Sequence, residues 1–108
     1  MPTMTEPTYF TLAALLDGSL HGYGIVRRAG EISDGRVRLR VGTLYGALER
    51  LMEQGLIAAD GEEIVDGRAR RYYRLTDAGD AAVRAEAERM RAAAAIVRRR
   101  PQTAESTA

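Results

Sequence analysis

The chain has 108 residues, 45% of them hydrophobic, which is the size and composition of one globular domain that folds without disulfides. Cysteine is absent and histidine occurs once, so thiolate chemistry and a histidine-based metal site are excluded, and we expect neither a metal nor a cofactor. The net charge is +1 and no apolar run approaches the roughly 20 residues of a membrane-spanning helix, so we expect a cytoplasmic protein whose polyanion contacts depend on local charge.

The first predicted elements are a leader and two helices. Residues 1–7 contain two prolines and no hydrophobic periodicity, which predicts a flexible leader. From Thr8, apolar side chains recur at helical spacing as far as Asp17, which predicts helix one. Ser19 to Gly22 is predicted as a turn, and a second apolar stripe predicts helix two from Gly22 to Ile32.

The middle of the chain combines a basic segment with a third helix. Val37 and Leu39 alternate with arginines, which predicts a short, half-exposed strand. Leucines at helical spacing then predict helix three from Thr43 to Gln54, with Gly55 as its C-terminal stop.

The last third of the chain predicts a β-hairpin followed by a long helix. Asp66-Gly67 separates two strand-like runs, Glu62 to Val65 and Arg68 to Leu75, and both positions of such a two-residue turn need positive φ. Thr76 has the side chain of a good N-cap, and acids follow it in the first turn of the predicted helix.

This order of elements is typical of a winged helix-turn-helix. Such a domain has three helices, the third with an exposed polar face, followed by a β-hairpin. We therefore predict a mainly α fold with a small β-hairpin, a winged helix-turn-helix plus a long C-terminal dimerisation helix. The predicted division is a flexible leader at 1–7, a DNA-binding domain at 8–76, the dimerisation helix at 77–100 and a disordered tail at 101–108.

Four short motifs carry a resemblance to a known family. They are His21-Gly22-Tyr23, Gly42-Thr43-Leu44-Tyr45, Leu48-x-Arg50-Leu51-x-x-x-Gly55-Leu56-Ile57 and Arg70-Arg71-Tyr72-Tyr73-x-Leu75-Thr76-x-x-Gly79. In this order and at these separations the chain resembles the PadR family of transcriptional regulators, in its short-chain branch with a single C-terminal helix. It departs from the family pattern at Val41, where serine or proline is frequent, and at Gly46, where proline is frequent. The resemblance implies a repressor that a small effector releases, often an aromatic compound.

The exposed face of helix three is the predicted reader of DNA. With Leu44 at the centre of the buried face, helical geometry turns small and polar residues outward near the start and an arginine further along. Such a face suits the ~12 Å wide major groove. Tyr45 lies on the shoulder of this face, where core packing and a phosphate hydrogen bond are both open. The predicted DNA-binding residues are Arg40, Thr43, Tyr45, Gly46 and Arg50 here and Arg68, Arg70 and Arg71 in the hairpin.

The hairpin arginines are predicted to hold phosphates or to enter a minor groove. Along the sequence no acid interrupts their run, which favours this function. The alternative is that exposed charge on a hairpin only protects its edge from pairing with other chains. Tyr72 and Tyr73 point to opposite faces of the strand, so one of them is expected in the core.

The last helix predicts a homodimer. Its apolar residues are spaced alternately four and three residues apart, as in the seam of a coiled coil. Packing of that seam on its own domain is the alternative, but the helix is too long for a three-helix core of this size to cover. Two recognition helices related by a twofold axis read an inverted repeat, so we expect double-stranded DNA with such an operator. The predicted dimerisation residues are Val83, Ala87, Met90, Ala94 and Val97.

The remaining sequence signals concern an effector and catalysis. An aromatic effector pocket would have to use Tyr9, Phe10 or Tyr23, because tryptophan is absent. His21 is placed beside no acid or nucleophile by any motif, and we find no catalytic constellation, so we expect no enzyme. The competing hypothesis is a winged-helix protein-interaction module in which helix three binds a protein instead of DNA.

Overall fold

The structure, a computed structural model, describes residues 4–102. Its elements are α1 (Glu6–Ala14), β1 (Leu20–His21), α2 (Gly22–Ile32), α3 (Val41–Glu53), β2 (Ile57–Val65), β3 (Arg68–Leu75) and α4 (Asp77–Arg99). The strands form one antiparallel sheet in the order β1-β3-β2. Residues 1–3 of the leader predicted at 1–7 and residues 103–108 of the tail predicted at 101–108 lie outside the described residues. Within residues 4–102, no helix combines the length and the apolar character that a membrane span requires.

One core joins helices and sheet. Its largest fully buried side chains come from five different elements, namely Leu12, Ile25, Leu48, Ile57 and Tyr73. Complete burial of an apolar side chain of this size contributes roughly 1.5–3 kcal/mol, so each element is fixed mainly by its apolar face. Tyr73 is therefore the core tyrosine that strand parity required, whereas Tyr72 lies on the opposite face and is half-buried.

Helix α1 begins earlier and ends earlier than predicted. Thr5 caps it, because the backbone N–H of Thr8 donates to Thr5 Oγ1 at 3.3 Å. Glu6 and Pro7 are thus helical rather than part of a leader, since proline is compatible with the first turn of a helix. The helix ends at Ala14, and a turn occupies the residues that were expected to complete it.

The strand predicted around Val37 is wrong. Val37 is buried and its neighbours are exposed, so the alternation reflects true burial, but the segment joins no sheet. The free edge of β3 is instead taken by β1, the segment predicted as a turn, with Leu20 opposite Tyr73 and His21 opposite Tyr72. Alternation in one segment does not reveal which segment occupies an edge, because strand pairing is non-local.

The hairpin formed by β2 and β3, called the wing here, has the predicted turn. Asp66 and Gly67 have φ of 52° and 76°, as a two-residue turn of this kind requires. β2 begins five residues earlier than predicted, at Ile57, because a bulge between Ala59 and Glu62 interrupts the expected alternation.

Helix α4 begins at the predicted cap and projects beyond the core. The backbone N–H of Gly79 donates to Thr76 Oγ1 at 3.0 Å, which confirms Thr76 as the N-cap. The radius of gyration of the chain is 17.2 Å, whereas a compact domain of this length has about 13 Å. The elongation places the far end of α4 away from the rest of the protomer.

Candidate nucleic-acid interface

Helix α3 carries two sharply different faces. Leu44, Leu48 and Leu51 are buried in the core, and they hold the helix against the domain. The small and polar residues that helical geometry turns outward are exposed, namely Gly42, Thr43, Gly46, Glu49 and Arg50. A Cβ atom added at Gly46 would meet only the Arg50 guanidinium, at 3.8 Å, so this part of the surface is low and open.

The start of α3 also differs from the prediction. The helix begins at Val41, two residues earlier than expected, and Arg40 occupies the N-cap position without a capping side-chain bond. The Arg40 carbonyl accepts from the backbone N–H of Thr43 at 3.1 Å and of Leu44 at 2.9 Å. Arg40, Thr43 and Arg50 line one shallow cleft between α3 and the start of α1. The structure thus brings together three of the predicted DNA-binding residues on one flank of the helix.

Tyr45 lies on the other flank of α3 and packs across the start of α2. A Cβ atom on Gly22 would lie 2.6 Å from the Tyr45 hydroxyl oxygen, so a larger residue there would displace the ring. The side chain is nevertheless 46% exposed. Tyr45 is therefore a packing residue that keeps an accessible edge, and the contact with Gly22 fixes where that edge lies.

A second cleft, of about 580 Å³, separates Tyr45 from the wing. It is lined by His21, Gly22, Tyr23, Tyr45, Val65, Asp66, Arg68, Ala69, Arg70 and Arg71. All three predicted wing arginines therefore face the same opening as Tyr45. Sequence analysis missed Tyr23 and His21 as members of this group, because the pairing of β1 with β3 brings them there and no motif signals that pairing.

The wing is not the uncompensated basic surface that the linear sequence indicated. In the antiparallel register Glu62 is opposite Arg71 and Glu63 is opposite Arg70. The Arg71 Nε to Glu62 Oε2 distance is 3.9 Å. Four acids accompany the four wing arginines, namely Asp60, Glu62, Glu63 and Asp66 against Arg68, Arg70, Arg71 and Arg74. Such exposed pairs stabilise by less than about 1 kcal/mol, so an incoming phosphate can replace the carboxylates.

His21 connects α2 to the wing. Its Nδ1 accepts the backbone N–H of Gly24 at 3.2 Å and so caps α2, and its ring meets the Tyr72 ring edge-on at 5.4 Å. Burial lowers the pKa of His21, and the nearby Arg70 guanidinium lowers that pKa further. The neutral imidazole is the form that can cap the helix, because protonated Nδ1 has no lone pair to accept with.

Tyr72 is held on the same face of the wing. Its hydroxyl donates to Glu63 Oε1 at 2.6 Å, and this hydrogen bond raises the pKa of Tyr72. Among the described residues, no group of three or more His, Cys, Asp or Glu is placed to hold a metal ion.

The predicted dimerisation seam divides into two parts. Val83 is only 2% exposed and belongs to the core of its own protomer, and Ala87 and Met90 are half-buried next to it. Beyond them Ala94 and Val97 are exposed, and Val97 is 72% exposed. Val83 is therefore corrected from a seam residue to a core residue, because the first turns of α4 pack on α1 and β3. Sequence analysis missed Ile96, which is also exposed.

The three aromatic residues considered for an effector are not grouped together. Tyr9 and Phe10 contact each other edge-on at 5.1 Å on α1, where Tyr9 packs against the core. Tyr23 lies instead in the cleft beside the wing. Tyr9 and Phe10 are neighbours on one helix, whereas Tyr23 lies in the first turn of α2, directly after β1, which pairs with the wing.

The sequence matches a known family over most of its length. The model of the family described as "Transcriptional regulator PadR-like family" matches residues 11–85. The transcriptional regulator Rv3488 of Mycobacterium tuberculosis is 43% identical over 67 residues, which are 62% of this chain and 59% of that protein. The matched segment therefore spans less than two thirds of the length of this curated relative.

The fold matches solved structures of regulators. A transcriptional regulator from Clostridium thermocellum aligns with a TM-score of 0.70 and 23% identity, covering 87% of this chain and 91% of that chain. Bacillus subtilis PadR in complex with operator DNA aligns with a TM-score of 0.61 and 22% identity, covering 93% and 51% respectively. These likenesses confirm the predicted fold class, a winged helix-turn-helix with a long C-terminal helix.

Proposed function

Because the chain belongs to the PadR-like family of transcriptional regulators, we propose that it binds specific DNA sequences as a dimer and inserts α3 into the major groove. The observation that carries this proposal is the exposed face of α3. Its outward residues are small or polar near the start, with Arg50 one turn after Gly46, above a row of buried leucines. A groove ~12 Å wide admits a helix with such a low face.

The geometry gives the residues of α3 distinct roles. Thr43 and Gly46 lie nearest the base edges, and the open surface at Gly46 allows close approach of the DNA. Arg50 and Arg40 share the flank beside α1, where they contact the sugar–phosphate backbone or the edge of a guanine. In this proposal α3 and its N-cap residue Arg40 read the sequence.

The wing contributes affinity rather than sequence preference. Arg71 exchanges Glu62 for a phosphate of the DNA backbone, and Arg70, which lies opposite Glu63 in the strand register, contacts a neighbouring phosphate. Arg68 extends the same surface toward the turn. The Tyr45 hydroxyl donates to a phosphate from the other side of the cleft, so the DNA backbone lies between α3 and the wing.

The second half of α4 is the proposed dimer contact. Its seam residues after Met90 are Ala94 and Val97, which the protomer leaves exposed. A second copy covers them by pairing α4 with α4 around a twofold axis, which orients two copies of α3 toward an inverted repeat. We accordingly propose DNA contact for residues 8–76 and, within the helix at 77–100, dimerisation for the part after Met90, because the first turns of that helix pack on their own chain.

Regulation follows from the family resemblance. PadR-like relatives imply a repressor that a small aromatic effector releases, acting in the cytoplasm. Tyr9 and Phe10 lie together on α1 and Tyr23 lies in the cleft beside the wing, so one aromatic effector would contact the first pair or Tyr23 and not all three. The structure of Bacillus subtilis PadR in complex with operator DNA supports double-stranded DNA as the partner proposed for this chain.

A change at Gly46 distinguishes this function from a protein-interaction module. Gly46→Glu places a carboxylate at the phosphates, so we expect loss of binding to duplexes that the wild type selects from a random pool. The fold should remain, because glutamate is favoured over glycine in a helix by up to about 1 kcal/mol. Gly30→Glu in α2 is the matched control, since a Cβ atom there meets only a carbonyl oxygen at 3.9 Å. Wild-type affinity of the Gly46→Glu protein in a gel shift would instead favour a protein partner for α3.

A further inference from the structure

We propose that a joint between the end of α3 and the start of α4 sets the separation of operator half-sites that the dimer accepts. The joint consists of Gly55, Leu56, Thr76 and Gly79. This inference rests on the proposed function, because it assigns α3 to DNA and α4 to the dimer. It adds a specificity role for four residues that touch neither the DNA nor the partner protomer.

Thr76 ties the two helices together. Its hydroxyl donates to the Gly55 carbonyl at 2.6 Å and accepts the Gly79 backbone N–H at 3.0 Å. Its own backbone N–H donates to the Leu56 carbonyl at 3.1 Å. One side chain thus caps α4 and at the same time holds the turn that ends α3, so the helices are linked directly as well as through the wing.

Gly79 brings the two backbones into contact. A Cβ atom at this position would lie 1.9 Å from the Leu56 carbonyl oxygen and 2.9 Å from its carbonyl carbon. The conformation of Gly79 itself is that of an ordinary helical residue, so glycine is needed for space and not for an unusual φ. Every other residue type would force α4 away from the end of α3.

A small shift at the joint is enlarged along α4. A Cβ atom at Gly79 needs about 1 Å more room. We take Glu86, the last buried residue of α4, as the pivot of the helix. At 1.5 Å rise per residue, a shift of about 1 Å at Gly79 then tilts α4 by about 6°. The end of the helix near Val97 then moves by about 2 Å, and the twofold axis doubles the change between the two copies of α3 to roughly one base-pair step of 3.4 Å.

The test uses four variants that separate the joint from general stability. Gly79→Ala adds a Cβ atom that pushes the Leu56 carbonyl away, and Thr76→Val removes the hydroxyl that bonds Gly55 and Gly79. If the first variant fails to fold, the second still tests the joint. Thr76→Ser retains the hydroxyl and is the control for Thr76→Val. Gly30→Ala is the control for Gly79→Ala, because helix α2 has room for a Cβ atom at that glycine.

Two measurements are made on each variant. The first is the affinity for a series of inverted repeats, selected with the wild type, whose half-sites are moved apart or together one base pair at a time. The second is a spin-label distance within one protomer, between Glu49→Cys on α3 and Arg98→Cys on α4, diluted with unlabelled protein. The natural chain has no cysteine, so these labels are unique.

We expect both joint variants to shift the label distance and the preferred spacing, with about tenfold or greater loss of affinity at the wild-type spacing, as for one mismatched base pair. Both controls should keep the wild-type values. A folded joint variant with unchanged distance and unchanged spacing preference overturns the proposal. Failure of the wild type to select any duplex overturns the proposed function and the spacing role with it, whereas the label distance still reports whether the joint fixes the helix angle.

Discussion

The exposed face of α3 and the wing hold their side chains in opposite ways. On α3 the outward residues are short or uncharged near the helix start, and the helix is fixed by leucines buried beneath them. On the wing, arginines lie opposite carboxylates of the neighbouring strand. Packing therefore fixes the position of α3, whereas the wing arginines lie near carboxylates that a phosphate can replace. We expect the first to govern sequence preference and the second to govern the salt dependence of binding.

The largest expected effect comes from removing the support under α3. Leu48→Ala leaves a cavity at a side chain that is fully buried, so the free energy of unfolding should fall by about 2–5 kcal/mol. DNA binding should be normal for the fraction of molecules that remains folded, unlike the loss of binding expected for Gly46→Glu. Thermal melting and gel shift on the same sample separate the two. A loss of stability below about 1 kcal/mol would show that packing does not fix α3 in this way.

The wing is tested by the salt dependence of affinity. Arg70→Ala combined with Arg71→Ala should weaken binding to all duplexes alike and reduce the slope of log affinity against log salt by about 1.8, near 0.9 for each phosphate that is no longer neutralised. Sequence preference should not change, because arginines at phosphates position the protein without reading bases. An unchanged slope would show that these arginines do not contact phosphates. It would favour the alternative that their charge only protects the hairpin edge from pairing with other chains.

The opposite change on the facing strand is the counterpart of that experiment. Glu62→Gln with Glu63→Gln removes the carboxylates that compete with phosphate, so affinity for every duplex should rise. Glutamine keeps an acceptor for the Tyr72 hydroxyl, so the wing should stay folded. Glu53→Gln at the end of α3 is the control for net charge alone. An equal gain in affinity for that variant would show that the position of the wing acids does not matter.

The smallest effect is expected at His21, between the two regions. Burial and Arg70 lower the pKa of His21, so its contribution to stability is complete above the unfolded value of about 6.5 and is lost as the pH falls through the lower folded value. Loss of the bond to Gly24 costs on the order of 1 kcal/mol, the usual worth of an N-cap. His21→Asn keeps a capping acceptor that does not titrate. Identical pH profiles of unfolding for both proteins would exclude this role.

Local chemistry predicted the parts of the fold that depend on a few adjacent residues. The turn at Asp66-Gly67 and the cap at Thr76 follow from φ requirements and side-chain hydrogen bonding within four residues. The outward face of α3 follows from helical periodicity, and so does its buried row of leucines.

The rest depends on contacts between distant segments. Pairing of β1 with β3 displaced the strand expected around Val37 and brought His21 to the wing. The acids that compensate the wing arginines lie on the other strand, so a run counted along one strand could not show them. Val83 fits a seam and a core equally well by spacing, and only packing on α1 and β3 decides between them.

Because the end of α4 is uncovered until two copies pair, the proposed operator binding depends on the concentration of the protein. When the protein is scarce, the concentration of pairs rises with the square of the total amount of chain, because mass action governs their formation. Operator occupancy then rises more steeply with synthesis than it would for a protein that acts as a single copy. In the proposed dimer, the solvent-facing residues around Val97 thus make operator binding respond over a narrower range of protein concentration.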